Sequence, residues 1–66
     1  MSDIERRILT YLSRYKKEIG AMWTADIAYG LRESTPFIRK ILVKLEKDGK
    51  VRRVVIGNPT SWELAE

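Results

Sequence analysis

The chain contains no cysteine and no histidine among its 66 residues. The first absence excludes disulfides and thiolate metal sites. The second removes the commonest zinc ligand and the commonest general base at neutral pH. Glutamine is missing as well, and with two prolines and four glycines there is no linker and no low-complexity tract. No apolar run approaches the roughly 20 residues that span a bilayer. The N-terminal MSDIERRILTYL alternates charged and apolar residues instead of building a signal-peptide core. No glycine-rich phosphate loop and no serine beside a base is present, so catalysis has no residue set to use. The expectation is a soluble, cytoplasmic, non-enzymatic protein with no cofactor, no metal and no membrane segment, folded as one domain over residues 1–66. At this length a core is marginal, and packing of the Ile, Leu, Val and aromatic residues has to stabilise it.

What is present is positive charge, and it is unevenly placed. Residues 1–33 carry six basic and five acidic side chains, residues 34–62 carry seven and two, and Glu63 and Glu66 close the chain. Nearly all of the net +4 therefore sits in the stretch STPFIRKILVKLEKDGKVRR and the strand that follows it. A basic half on a small domain points to nucleic acid first, and to an acidic protein or anionic membrane second.

The order of elements follows from spacing and punctuation. Ser2 and Glu5 have capping-box spacing, and Ile4, Ile8, Leu12, Tyr15 and Ile19 recur at helical steps, which predicts a helix over residues 3–17 ending near Gly20. Ala21, Met22 and Trp23 suit a brief extended segment. Thr24 is placed to cap a second helix over 25–31, with Asp26 in its first turn. Thr35 can cap a third helix with Pro36 at its first position. Ile38, Ile41, Leu42 and Leu45 form the apolar stripe of that helix, and Gly49 gives the left-handed stop. Strands over 51–56 and 61–64 flank a turn at Asn58 and Pro59. Trp62 and Leu64 share a face and are expected to pack on the third helix. Trp23 is expected in the core or at an interface.

Ile27, Ala28, Leu31, Ser34, Ile38, Leu42, Leu45, Gly49 and Val51, in this order and closed by LEKDGKV, resemble the helix-turn-helix of the winged-helix superfamily. The resemblance spans the whole chain in element order. It implies an α+β fold, a winged helix-turn-helix: a three-helix bundle with a C-terminal β-hairpin wing. It also implies double-stranded DNA as partner and a role as a small transcriptional regulator. One departure stands out: the turn between the helices often has glycine at the position of Arg32, and here the glycine is Gly30.

On a wheel of the third helix, the face opposite the apolar stripe holds Pro36, Lys40, Val43 and Lys47, flanked by Arg39 and Lys44. Such a face suits the major groove, with Arg39, Lys40, Lys44 and Lys47 reaching guanine edges or phosphates and Val43 a thymine methyl. Ser34 and Thr35 at the helix N-terminus would meet a phosphate. In the wing, alternation does not choose the inward face, because 51/53/55 and 52/54/56 each place one arginine among two aliphatics. Arg52 and Arg53 are both assigned to phosphate contact, with Arg52 preferred as the outward one.

An amphipathic helix always has a polar outside, so lysines there can be merely solubilising. A winged helix can also dock an acidic protein or coat DNA without sequence preference. A subgroup of the superfamily binds left-handed Z-form nucleic acid, and NPTSW, with Pro59 and Trp62, resembles its wing. That subgroup relies on an asparagine and a tyrosine where this chain has Arg39 and Val43, which argues against Z-form recognition. Specific regulation by so small a domain predicts a homodimer on a two-fold operator, with Leu9, Tyr11 and Tyr15 on the first helix as the interface. No small-molecule ligand is expected, since no second domain would hold one.

Overall fold

Ser2 and Glu5 start the first helix as their spacing requires. In the computed structural model, which describes residues 1–55 and 57–65, Glu5 N–H donates to Ser2 Oγ at 3.3 Å and Ser2 N–H to Glu5 Oε1 at 2.8 Å. This closes the capping box of α1 (Asp3–Tyr15). The helix stops two residues before the expected end. Ile19 and Gly20 N–H groups both turn back onto Tyr15 O, and Gly20 takes a φ of 79°. Ile19 thereby leaves the stripe on which its spacing placed it and is 58% exposed. The helical spacing of apolar residues continues past Tyr15, the last residue that is helical.

β1 (Met22–Trp23) leads into α2 (Thr24–Leu31). Thr24 is not the cap: Trp23 occupies that position without a side-chain hydrogen bond, and Thr24 lies inside the helix, buried. Trp23 itself is half-exposed, which removes the core position and leaves the interface position of the two expected for it. α3 (Thr35–Lys47) is capped one residue earlier than expected, by Ser34, whose Oγ accepts from Phe37 N–H at 3.3 Å. Thr35 becomes the first helical residue and Pro36 the second, where a missing N–H still costs nothing. Gly49, at φ 76°, ends the helix region and sends the chain into β2 (Val51–Val54). β2 is shorter than the expected 51–56: Val55 lies beyond it and is exposed, and Ile56 lies outside the described residues. After Gly57 and the cis Asn58–Pro59 bond comes β3 (Ser61–Leu64).

The sheet is antiparallel in the order β1-β3-β2, so the C-terminal strand is central. Ile8, Leu12, Met22, Ile27, Ala28, Ile38, Leu42, Leu45, Val51 and Trp62 form one buried cluster between the helices and the sheet. Burying each large aliphatic contributes about 1.5–3 kcal/mol before chain entropy is charged against it. Ile41 and Leu64, placed in the core by spacing, sit half-buried at its edge. The result is an α+β winged helix-turn-helix whose hairpin wing is widened to three strands by β1.

Trp62 fastens the sheet to the helices. Its Nε1–H donates to Thr24 Oγ1 at 2.7 Å, both groups being buried. The hydroxyl that was expected to cap α2 instead satisfies the one polar atom of the largest core side chain.

Candidate nucleic-acid interface

α3 presents the basic face because its other side is committed: Ile38, Leu42 and Leu45 are at most 1% exposed. Arg39, Lys40 and Lys47 are exposed and have no ion-pair partner among the described residues. Val43, central to this face on a wheel, is half-buried against the core cluster. A wheel counts the helix alone, and neighbouring elements cover shoulders it leaves open. The head of α3 also differs from the other two helices. α1 has Asp3 and Glu5 in its first turn and α2 has Asp26, whereas α3 has no acid there. The partial positive charge at its N-terminus is therefore not offset by an acid in its own first turn. Ser34 Oγ accepts from Phe37, which leaves its hydroxyl proton to donate, and Thr35 stands beside it.

Three of the expected contacts are engaged within the fold. Lys44 Nζ donates to Glu5 Oε2 at 2.7 Å and to Asp48 Oδ2 at 3.1 Å. The Lys44 ammonium, followed by the Ser2 backbone and hydroxyl, holds the Glu5 carboxyl down from 4.5 to about 2. Glu5, and then Asp48, raise the Lys44 ammonium above its ordinary value. Lys44 nevertheless keeps 61% of its side chain exposed, so it ties α3 to α1 without being hidden.

The register of the wing settles which arginine faces which way. Val51 pairs with Leu64 and Arg53 with Trp62 on one face, and Arg52 pairs with Glu63 on the other. Opposite residues of an antiparallel ladder share a face, so Arg53 lies on the side that turns to the helices. Its guanidinium sits 4.9 Å from the centre of the Trp62 ring and donates to Glu46 Oε1 of α3 at 2.9 Å. Arg52 is on the outer face, 60% exposed, with its Nε 2.7 Å from Glu63 Oε2. That pair is exposed and weak enough for a phosphate to displace the carboxylate.

Two further cations join this set. Lys50 opens the wing, exposed and without an ion pair among the described residues, its carbonyl fixed by Ala65 N–H at 3.0 Å. Its position in the basic run was the available signal. Arg32 precedes α3 in a left-handed conformation, φ 59° and ψ 45°. It adopts the backbone state for which glycine is usual at this turn. Gly30 meets a different constraint: a Cβ there would run into Tyr11 Oη and Cζ, so the tyrosine side chain would have to shift.

Leu9, Tyr11 and Tyr15 of the expected dimer face are all half-buried, with the two tyrosine rings edge to face at 4.9 Å. Among the described residues no group of three or more acidic side chains gathers closely enough to hold a metal ion, and no helix is long and apolar enough to cross a membrane.

The model of the FaeA-like protein family matches residues 4–66 of the chain. Among solved structures, the apo Zα domain of zebrafish PKZ superposes with a TM-score of 0.84 at 29% identity, covering 97% of this chain and 94% of that one. A point mutant of S. aureus MepR bound to an oligodeoxyribonucleotide gives 0.85 at 21% identity, covering 97% and 47%. MepR bound to ethidium bromide gives 0.81 at 21%, covering 97% and 46%. The chain thus spans about half of MepR, and at these identities MepR shows likeness of fold alone. No curated protein sequence matches the chain.

Proposed function

The chain belongs to the FaeA-like protein family, and from that membership and its basic face we propose that it binds double-stranded DNA as a small transcriptional regulator acting inside the cell. The observation that carries the reading is the set of cations without an ion-pair partner among the described residues, Arg39, Lys40 and Lys47 on α3 with Lys50 at the root of the wing. Among the described residues, the acids Glu46, Asp48 and Glu63 each hold a basic side chain. A surface kept this positive suits a polyanion. The oligodeoxyribonucleotide on MepR, a fold shared at low identity, is in keeping with this.

In this reading α3 enters the major groove, Arg39, Lys40 and Lys47 address guanine edges and phosphates, and Val43 offers the part of its side chain that remains exposed to a thymine methyl. Ser34 and Thr35 receive a phosphate at the helix head. Lys44 contributes its charge from its place between Glu5 and Asp48. Arg52 grips a phosphate from the outer face of the wing, and Arg53 reaches the backbone only from the edge left open beside Trp62. Z-form recognition is not proposed, because Arg39 and Val43 stand where it uses asparagine and tyrosine. A single domain of this size touches few base pairs, so two chains per operator complete the proposal, meeting through Leu9, Tyr11 and Tyr15 of α1. Sedimentation with operator DNA that shows one chain per complex would remove that part.

The test of DNA binding is fluorescence anisotropy with labelled duplex over a series of salt concentrations. Wild type is expected to bind with affinity falling steeply in salt, since each neutralised phosphate adds a slope of about −0.9 in log–log terms. Lys40→Glu/Lys47→Glu is expected to lose affinity and slope together while melting like wild type. Absence of duplex binding at physiological salt by the folded wild type would overturn the proposal and leave the face as a docking surface for an acidic protein.

A further inference from the structure

α1 turns a second basic surface to solvent. Arg6, Arg7 and Arg14 line a groove of about 370 Å³, with Asp3 and Tyr11 beside them and Leu31 at the end of α2 across from them. At 100° per residue the centre of this surface lies about 160° around α1 from Glu5, the residue that faces α3. A duplex seated on α3 therefore does not cover it.

The groove is more than a set of solvated side chains. Arg7 is held in place: its Nη2 donates to Leu31 O at 2.9 Å and its Nη1 lies 3.5 Å from Glu33 Oε2. Tyr11 is held too, against Tyr15 at 4.9 Å and over Gly30, where a Cβ would displace it. Arg6 and Arg14 have no ion-pair partner among the described residues, and the acids beside the three guanidinium groups are Asp3 in the groove and Glu33, which is paired with Arg7. Residue type adds to the case. All three basic residues of α1 are arginine, whereas α3 carries three lysines and one arginine. Arginine presents a planar fork that matches carboxylate and phosphate oxygens in pairs, which lysine cannot do. The volume falls in the range of about 300–1,000 Å³ used by small-molecule sites and is short for a peptide.

We infer that this groove binds a compact organic anion with two carboxylate or phosphate groups, which bridge Arg6 or Arg7 to Arg14 while the apolar part of the molecule lies on Tyr11 and Leu31. The inference uses no residue of α3 or the wing, but it shares Tyr11 with the proposed dimer face. It therefore applies to the single chain, where the groove is open, and an anion seated there would compete with that dimer. It also revises the expectation that no small molecule has a place on a single domain.

Calorimetric titration at low salt tests it, with succinate, inorganic pyrophosphate and a hexaglutamate peptide as probes. Succinate or pyrophosphate is expected to bind saturably at one site, and which of the two binds tells carboxylate from phosphate. Arg6→Ala/Arg14→Ala, both exposed positions, is expected to weaken that binding about tenfold or more, the loss of a charge-assisted contact. Lys40→Ala/Lys47→Ala is expected to leave it within about twofold. Three results would overturn the inference: no saturable binding of either small anion, a loss that follows Lys40 and Lys47 instead, or binding of hexaglutamate alone, which would make the groove a contact for an acidic protein.

Discussion

Lys44 Nζ stands 2.7 Å from Glu5 Oε2, and that contact joins α3 to the capping box of α1 across 39 residues of sequence. One carboxylate does two things, because its other oxygen receives Ser2 N–H. The position of Lys44 on the shoulder of α3 is therefore structural as well as electrostatic.

The pH dependence follows from the direction of the two shifts. Glu5 is depressed from 4.5 to about 2, so its contribution to stability is complete above the ordinary carboxylate value and is lost as pH falls from there towards 2. Lys44 is raised, so its contribution holds below the ordinary lysine value and is lost as pH climbs past the folded one. Thermal melts between pH 4.5 and 2 are expected to show a steeper fall for wild type than for Glu5→Gln. Glutamine keeps the capping box, because its one carbonyl oxygen still accepts from Ser2, and removes the charge together with the second oxygen that accepts from Lys44. Identical pH profiles for the two proteins would contradict the assignment.

Thr24→Val keeps shape and burial but leaves the Trp62 indole N–H without an acceptor. An unsatisfied buried donor costs about 1–3 kcal/mol, which in a domain of this size lowers Tm by roughly 4–8 °C per kcal/mol. Thr24→Ser, retaining the hydroxyl, is expected to melt closer to wild type.

The two residues around the helix-turn-helix corner respond in opposite directions to exchange with glycine. Arg32 holds a left-handed backbone at φ 59°, which costs a side-chain-bearing residue about 1 kcal/mol. Arg32→Gly is expected to raise Tm by a few degrees, although DNA affinity falls if Arg32 contributes charge. Gly30→Ala is expected to destabilise by about 1–3 kcal/mol through contact with Tyr11. Combining it with Tyr11→Ala should cost less than the sum of the two, as for residues that share one space. Melts of the four proteins decide this.

Arg52 and Arg53 are adjacent in sequence but are expected to fail differently. Arg52→Ala should leave Tm nearly unchanged, since its pair with Glu63 is exposed and worth about 0–1 kcal/mol. It should reduce the salt slope of DNA binding by about one contact. Arg53→Ala should lower Tm and shift Trp62 emission, because it removes the cation above the ring and the link to Glu46, with a smaller change in slope. Equal slopes and equal melts for both variants would show that the facing of the strand has no consequence.

Much of this protein was legible residue by residue. The capping box at Ser2 and Glu5, the proline near the head of α3, the glycine stop at Gly49 and the aliphatic stripe of Ile38, Leu42 and Leu45 act within one or two turns of chain, so their spacing alone determined helices and core. The location of the charge was determined in the same way. Boundaries were less legible: Ser34 rather than Thr35 caps α3, because either hydroxyl fits and only the geometry of Phe37 N–H chooses between them. Tertiary structure alone decided the rest. Alternation in VRRVVI was ambiguous until pairing with β3 placed Arg53 opposite Trp62. Glu5, which joins Lys44 to α1, lies 39 residues from it, and Thr24, the acceptor for the Trp62 indole, lies 38 from its donor. Contacts of that range leave no period in a sequence, because they depend on how the elements dock and not on how any one of them is built.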